Sequence, residues 1–303
     1  MGTPQAAAVS LERLLSDRHE IAAVYTQPDR PSGRGNKITF SPVKQIAIDR
    51  GLAVLQPMKI RTDEAIEEFR SFKADVAIVV AYGRILPESF LTAFPNGAIN
   101  VHFSLLPKYR GAAPVNWAIV NGEGVSGVTT MKMDAGLDTG DILLQRETSI
   151  GSDETSVELM ERLSGIGADL LSETLADLPS LQPVKQDDSL ATLAPIITKE
   201  DGRIDWSLPA DKIARMVRGF QPFPTTYTSL DDKKLTIWSA VPQTDESDAN
   251  PGLVLAAKAD DLVIKCGGDS ALEVIELQLE GKRRLPARDV LNGGSITVGS
   301  ELG

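Results

Sequence analysis

Residues 74–83 of the chain, ADVAIVVAYG, are apolar at odd and even positions alike. Side chains on a strand alternate between two faces, so this segment needs cover on both, as a strand has inside a parallel sheet flanked by helices. The neighbouring sequence supplies such helices. AAAVSLERLL (6–15) has helical spacing. SPVKQIAIDRG opens with Ser41 as an N-cap and Pro42 at the first helical position, and closes on Gly51. TDEAIEEFRSF has Thr62 as a cap and acids in its first turn. The strand candidates EIAAVYT, GAINVH, GVTTMKM and DILLQRETSI interleave with them, and a long helix runs from Asp153 to Leu178. The alternation predicts an α/β domain over residues 1–183 with a doubly wound, mostly parallel sheet.

Residues 184–202 carry little periodicity and read as a linker. Beyond it, residues 203–303 hold one helix, PADKIARMVRGF, and then TTYTSL, KKLTIWSA, GLVLAA, DLVIKCG and ALEVIELQL. Short strands so closely spaced, separated by Gly, Asp and Asn turns, predict a small OB-like β-barrel.

Composition narrows the function classes. No apolar run approaches the roughly 20 residues that span a bilayer, and no signal-peptide order is visible at the N-terminus. The single Cys266 excludes an internal disulfide framework and a Cys-cluster metal site. A bacterial-type cytoplasmic location is expected, with an organelle open to a chain carrying an upstream transit segment. The net charge of −11 opposes a nucleic-acid partner held by overall charge. Two basic islands qualify that. TQPDRPSGRGNKITFSPVK carries Arg30, Arg34, Lys37 and Lys44 against Asp29, and GKRRLP carries Lys282, Arg283 and Arg284. Each reads either as a solvated loop or as a phosphate contact.

The stretch INVHFSLLPKYRGAAP (99–114) holds one of only two histidines. Asn100 and His102 are two apart at a strand end, on one face, where ligands bind in open α/β sheets. MKMDAGLDTGDIL offers Asp134, Asp138 and Asp141 from a following strand and turn. An amide, an imidazole and a carboxylate can stabilise an oxyanion and handle a proton. The same residues also suit a turn at the core's edge, so spacing alone suggests a site without naming its reaction.

NVHFSLLPKYRGAAP together with GLDTGDIL resembles the formyltransferase family that uses 10-formyltetrahydrofolate. TQPDRPSGRG, SPVK, VVAYGRILP and RIDWSL are similar to its methionyl-tRNA formyltransferase branch, and the likeness covers nearly the whole chain in order. The resemblance implies a nucleotide-binding-like domain, a linker and a barrel related to the OB-fold. It implies transfer of formyl from the folate co-substrate to the α-amine of methionyl-initiator tRNA. It makes Asn100, His102 and Asp138 the catalytic group, and Ser104, Leu105, Leu106 and Pro107 with Tyr82, Gly83, Ile85 and Leu86 the folate contacts. Arg30, Arg34, Lys37 and Lys44 become tRNA contacts. No metal is expected, because the formyl group is already activated by its carrier. A monomer is expected. An amino-sugar-nucleotide formyltransferase is the alternative enzyme; a truncated folate- or tRNA-binding chain without activity is the non-enzyme one.

Two departures stand out. The chain opens MGTPQAAAV where the family has an apolar strand first, so the central strand of the sheet is expected to be missing. Phe103 stands where small residues are usual, and either narrows the folate site or packs outward.

Overall fold

The structure, a computed structural model, describes residues 1–32 and 37–303. The chain divides into two compact units: Met1–Pro114 with Val125–Ser149 and Met160–Pro195, and Val115–Gly124 with Ile150–Leu159 and Ile196–Gly303. Among the described residues no helix is long and apolar enough to cross a membrane.

In the first unit Ala77–Val79 pairs in parallel with Ala98–His102. Ala98–His102 is antiparallel to Val125–Lys132, which is antiparallel to Ile142–Ser149. A short turn joins those last two strands, and strands so joined pair antiparallel. The parallel pair Val24–Tyr25 and Val54–Leu55 meets this ladder through Met1 and Gly2. The Gly2 N–H donates to Tyr25 O at 2.9 Å and the Val80 N–H to Met1 O at 2.9 Å. A cavity of about 350 Å³ adjoins Met1, between residues 19–25 and 72–78 and against Leu11, Leu14 and Leu175. It lies between Val24–Tyr25 and Ala77–Val79, beside Met1 and Gly2.

Helices cover the sheet for the reasons their sequences indicate. Gln5–Ser16 buries Ala6, Ala7, Ala8, Ser10, Leu11 and Leu14, a broad helical face. Pro42–Asp49 is capped by Ser41, whose Oγ accepts the Lys44 N–H at 3.2 Å. Asp63–Ser71 is capped by Thr62 and buries Phe69, which stacks on Phe90 with ring centroids 4.2 Å apart.

The second unit carries a six-stranded antiparallel sheet in the order Thr226–Leu230, Lys233–Thr244, Ser270–Leu279, Asp261–Lys265, Val254–Lys258, with Leu285–Pro286 added to Ser270–Leu279. Among the described residues its end strands do not pair with each other, so no closed barrel forms. A register shift between Ile237 and Ala240 marks a bulge, which bends a strand and increases its twist. The helix Ala210–Gly219 lays Ile213 and Val217 on a core of Leu235, Ile237, Ile264 and Val274. Cys266 lies in this core, and burial pushes its thiol up to about 12. That makes it inert at neutral pH.

Lys265 is buried beside this core, its Nζ 2.8 Å from Asp245 Oδ2 and donating to Asp245 O at 2.7 Å. The bond to Lys265, seconded by Ser247 Oγ, holds the Asp245 carboxyl below the usual carboxylate range. A depressed carboxyl stabilises the fold above its unfolded-state pKa, and loses that effect as pH falls through its folded value. Asp245→Asn is expected to lower the unfolding free energy by about 2 kcal/mol at pH 7, discounted from a fully buried pair because Asp245 is partly exposed. Urea titrations should show the gap between variant and parent closing as pH drops below about 4.

Candidate active site

Ala98–His102 sits inside the sheet with all five residues buried. Asn100 is in register with Val79 on one side and Met131 on the other, and His102 with Thr129. Strand alternation puts Asn100 and His102 on one face and Val101 on the other. On that other face a Cβ at Gly167, in the helix Ser156–Asp177, would stand 3.0 Å from Val101 Cγ1 and 3.4 Å from Phe103 Cε1. Phe103 therefore packs outward, into space that Gly167 leaves free on the helix. The question its size raises is answered by the helix, not by the site.

The His102 ring is oriented by backbone. Its Nε2 lies 2.9 Å from Tyr109 O. A carbonyl only accepts, so Nε2 carries the hydrogen. Nδ1 faces Asp138 Oδ2 at 3.7 Å, within reach of charge attraction and beyond a direct hydrogen bond. Asp138 comes from the turn between Val125–Lys132 and Ile142–Ser149, at φ +53, a left-handed conformation that Asp tolerates better than most residues. Its Oδ2 accepts the Gly111 N–H at 2.9 Å.

The other two acids of that turn have different work. Asp134 Oδ1 accepts from the Gly136 N–H at 3.0 Å and from Thr139 Oγ1 at 2.7 Å, tightening the turn. Asp141 accepts the Lys132 N–H through its backbone oxygen at 2.8 Å.

Tyr109–Gly111 is itself held by the chain that follows the long helix. The Tyr109 N–H donates to Thr192 Oγ1 at 2.8 Å, and Arg110–Gly111 pairs in parallel with Leu193–Ala194. Gly111 has φ +125, and a Cβ there would stand 2.5 Å from Ala194 O, so only glycine fits.

The bend after His102 is braced by Thr129. Its Oγ1 donates to Ser104 O at 2.7 Å, and accepts from the Leu106 N–H at 3.1 Å and from Gln145 Nε2 at 3.0 Å. Ser104 Oγ donates to Lys108 O at 2.7 Å, and Leu106 is buried. Leu105 closes on Gly127, where a Cβ would meet its Cδ2 at 2.5 Å. Pro107 follows on a cis peptide. In the adjacent loop, Tyr82 and Leu86 belong to the core around Phe69 and Phe90, and Tyr82 O accepts from Gln27 Nε2 at 2.8 Å. Burial raises the Tyr82 hydroxyl above its usual range. Ile85 is 69% exposed, and Gly83 beside it has φ +75. The structure thus brings Asn100, His102 and Asp138 to one strand end, with both loops at the carboxyl ends of neighbouring parallel strands.

The basic residues are placed less uniformly. Arg30 is exposed. Lys44 is bound by Asp29 and by Gln56 Oε1, the latter at 2.8 Å, and lies 4.1 Å from the Phe40 ring centroid. Arg34 and the Lys37 side chain lie outside the described residues. In the second unit Arg284 is bound by Glu276 and lies over Trp238, while Lys282 and Arg283 are exposed.

Residues 1–175 match the family model described as Formyl transferase, and residues 196–295 that described as Formyl transferase, C-terminal domain. The chain belongs to the formyl transferase family. Over its whole length it is 50% identical to the methionyl-tRNA formyltransferase of Solibacter usitatus (strain Ellin6076), covering 97% of that protein. It is 49% identical to the methionyl-tRNA formyltransferase of Caldanaerobacter subterraneus subsp. tengcongensis, covering 98% of it. Among solved structures, the N-formyltransferase from Helicobacter canadensis in complex with folinic acid and dTDP-3-aminofucose shares the fold, with a TM-score of 0.69 at 20% identity, over 90% of this chain and 96% of that one. HypX from Aquifex aeolicus in complex with tetrahydrofolic acid aligns over 84% of this chain and 45% of its own, with a TM-score of 0.60 at 21% identity.

In this formyl transferase, sequence reasoning misses Tyr109, Gly111, Thr129, Gln145 and Gln186 as parts of the site's frame. Tyr109 and Gly111 act through backbone atoms, which leave no side-chain signature. Thr129 reads as an ordinary β-branched strand residue. Two substitutions separate frame from face. Phe103→Ala is expected to cost about 3–5 kcal/mol by leaving a cavity against the helix. Thr129→Val, nearly isosteric, is expected to cost about 1–3 kcal/mol by stranding the buried Leu106 N–H and Ser104 O. Thermal unfolding of both variants checks the two values.

Proposed function

We propose that the chain transfers the formyl group of 10-formyltetrahydrofolate to the α-amine of methionyl-initiator tRNA. One observation carries this reading: His102 Nδ1 and Asp138 Oδ2 face each other 3.7 Å apart at the strand end, in a chain half identical throughout to methionyl-tRNA formyltransferases.

The folate supplies a formyl carbon already bonded to nitrogen and open to attack by an amine. The loop 82–86 and the bend 104–107 would hold it, because they flank Asn100 and His102 at neighbouring strand ends. Gly83 and Pro107 offer backbone and ring surfaces there, and Ile85 an exposed apolar side chain. Ser104, Leu106, Tyr82 and Leu86 are buried and set the shape of these two segments. Leu105 anchors the bend on Gly127.

The protein's part in the chemistry follows from its atoms. As the amine attacks, negative charge grows on the formyl oxygen. The Asn100 carboxamide and a protonated His102 Nδ1 are the donors within reach of that face, and preorganised donors in a buried site lower such a barrier by several kcal/mol. Nε2 stays on Tyr109 O, so the ring cannot turn away while Nδ1 changes protonation. The Asp138 carboxylate takes the proton the amine gives up, directly or through one water across the 3.7 Å gap, and returns it to N10 as the oxyanion collapses, the formyl C–N10 bond breaks and tetrahydrofolate leaves.

The tRNA would meet Arg30, Arg34 and Lys37 through its phosphates. Lys44 shapes the base of that loop from its ion pair with Asp29. Binding of this kind weakens with salt, and each phosphate neutralised adds about one unit to the log–log slope.

The test is formylation of methionyl-initiator tRNA with 10-formyltetrahydrofolate. The chain is expected to formylate it, and His102→Ala and Asp138→Asn to lower kcat about a hundredfold or more. Arg30→Ala should raise KM for the tRNA and flatten its salt dependence while leaving kcat within about twofold. A parent chain that leaves methionyl-tRNA unformylated but formylates a nucleotide-linked amino sugar would overturn the assignment.

A further inference from the structure

Gln186 lies in the segment that reads as a linker, yet it is 6% exposed and uses its whole hydrogen-bonding capacity. Its Nε2 donates to Asp138 O at 2.8 Å and to Gly140 O at 2.7 Å. Its Oε1 accepts from Arg110 Nε at 3.0 Å and from Arg110 Nη2 at 2.8 Å. A guanidinium can only donate and the two carbonyls can only accept, so the amide has one allowed orientation. Arg110 is also buried, and its Nη2 reaches out to Asp188 Oδ1 at 2.8 Å.

The placement of these bonds matters more than their number. Tyr109 O orients His102, and the Gly111 N–H holds the Asp138 carboxylate. Between them stands Arg110, which grips Gln186, which in turn grips the main chain on both sides of Thr139. The imidazole and the carboxylate are thus referred to the same three residues, one directly and one through Gln186 as well. Asp138 needs such a restraint, because its left-handed backbone sits on a turn that relaxes unless its carbonyls are held.

Resting on the formyl-transfer reading above, we propose that Gln186 is a positioning residue for that reaction. It fixes the Asp138 carboxylate at its distance from His102 Nδ1 and touches neither substrate. Two variants test this. Gln186→Met keeps the shape and loses every bond. Gln186→Glu keeps an acceptor for Arg110 and turns a carboxylate toward the Asp138 and Gly140 oxygens. Steady-state formylation is measured alongside thermal unfolding and the imidazole nitrogen spectrum, where only His19 and His102 contribute. Both variants are expected to lose about 10- to 100-fold in kcat, with KM for folate and for tRNA within about threefold. The His102 resonance should move and that of His19 should stay. A kcat within threefold of the parent, a loss carried by KM, or an unmoved His102 resonance would overturn the proposal. So would failure of both variants to fold, since Gln186 would then be structural. If the parent itself forms no formylmethionyl-tRNA, the formyl-transfer reading fails instead, and the spectrum still reports whether Gln186 sets the environment of His102.

Discussion

Oδ2 of Asp138 is pulled from two sides, by the Gly111 N–H at 2.9 Å and by His102 Nδ1 at 3.7 Å. The rest of the site depends on this shared oxygen. The Gly111 bond is short and made to backbone, so it sets where the carboxylate stays. The longer approach to His102 leaves space for a proton to arrive or depart. A charged hydrogen bond to the ring would be stronger. It would also close the gap through which an amine or a water can reach the carboxylate.

The arrangement requires a particular backbone around it. Gly111 approaches Ala194 O too closely for any side chain, which lets the strand Leu193–Ala194 lie alongside and Thr192 hold Tyr109. Tyr109 O then fixes the ring of His102 through Nε2. Phe103, next in the chain, keeps the strand end seated from the opposite face, where Gly167 makes room for it. Side chains that do the chemistry are few; most of the residues around them act by holding main chain in place.

This division explains how much is legible in the sequence. The both-sided apolar run at 74–83, the capped helices and the two-residue spacing of Asn100 and His102 are local patterns, and periodicity reports them well. The carboxylate partner is found by motif, since nothing in the spacing distinguishes Asp138 from Asp134 or Asp141. The frame is not legible. Gln186 is polar and aperiodic in its surroundings, so it reads as linker, and only tertiary contact shows it buried against Arg110. Lys44 reads as a free cation in a basic loop, whereas Asp29, fifteen residues earlier, neutralises it. The sheet also carries a reversal that the mostly parallel reading does not locate: Val125–Lys132 runs antiparallel to both its neighbours, Ala98–His102 and Ile142–Ser149.

The central claim is that His102 and Asp138 act as one unit set on a common backbone segment. A double-mutant cycle in kcat measures it most directly, with His102→Ala, Asp138→Ala and the pair assayed for methionyl-tRNA formylation under single-turnover conditions. Residues that act together lose function together, so the double variant is predicted to be no slower than the worse single variant, within about threefold. Losses that multiply, with the double variant slower by the product of the two single effects, would contradict the account.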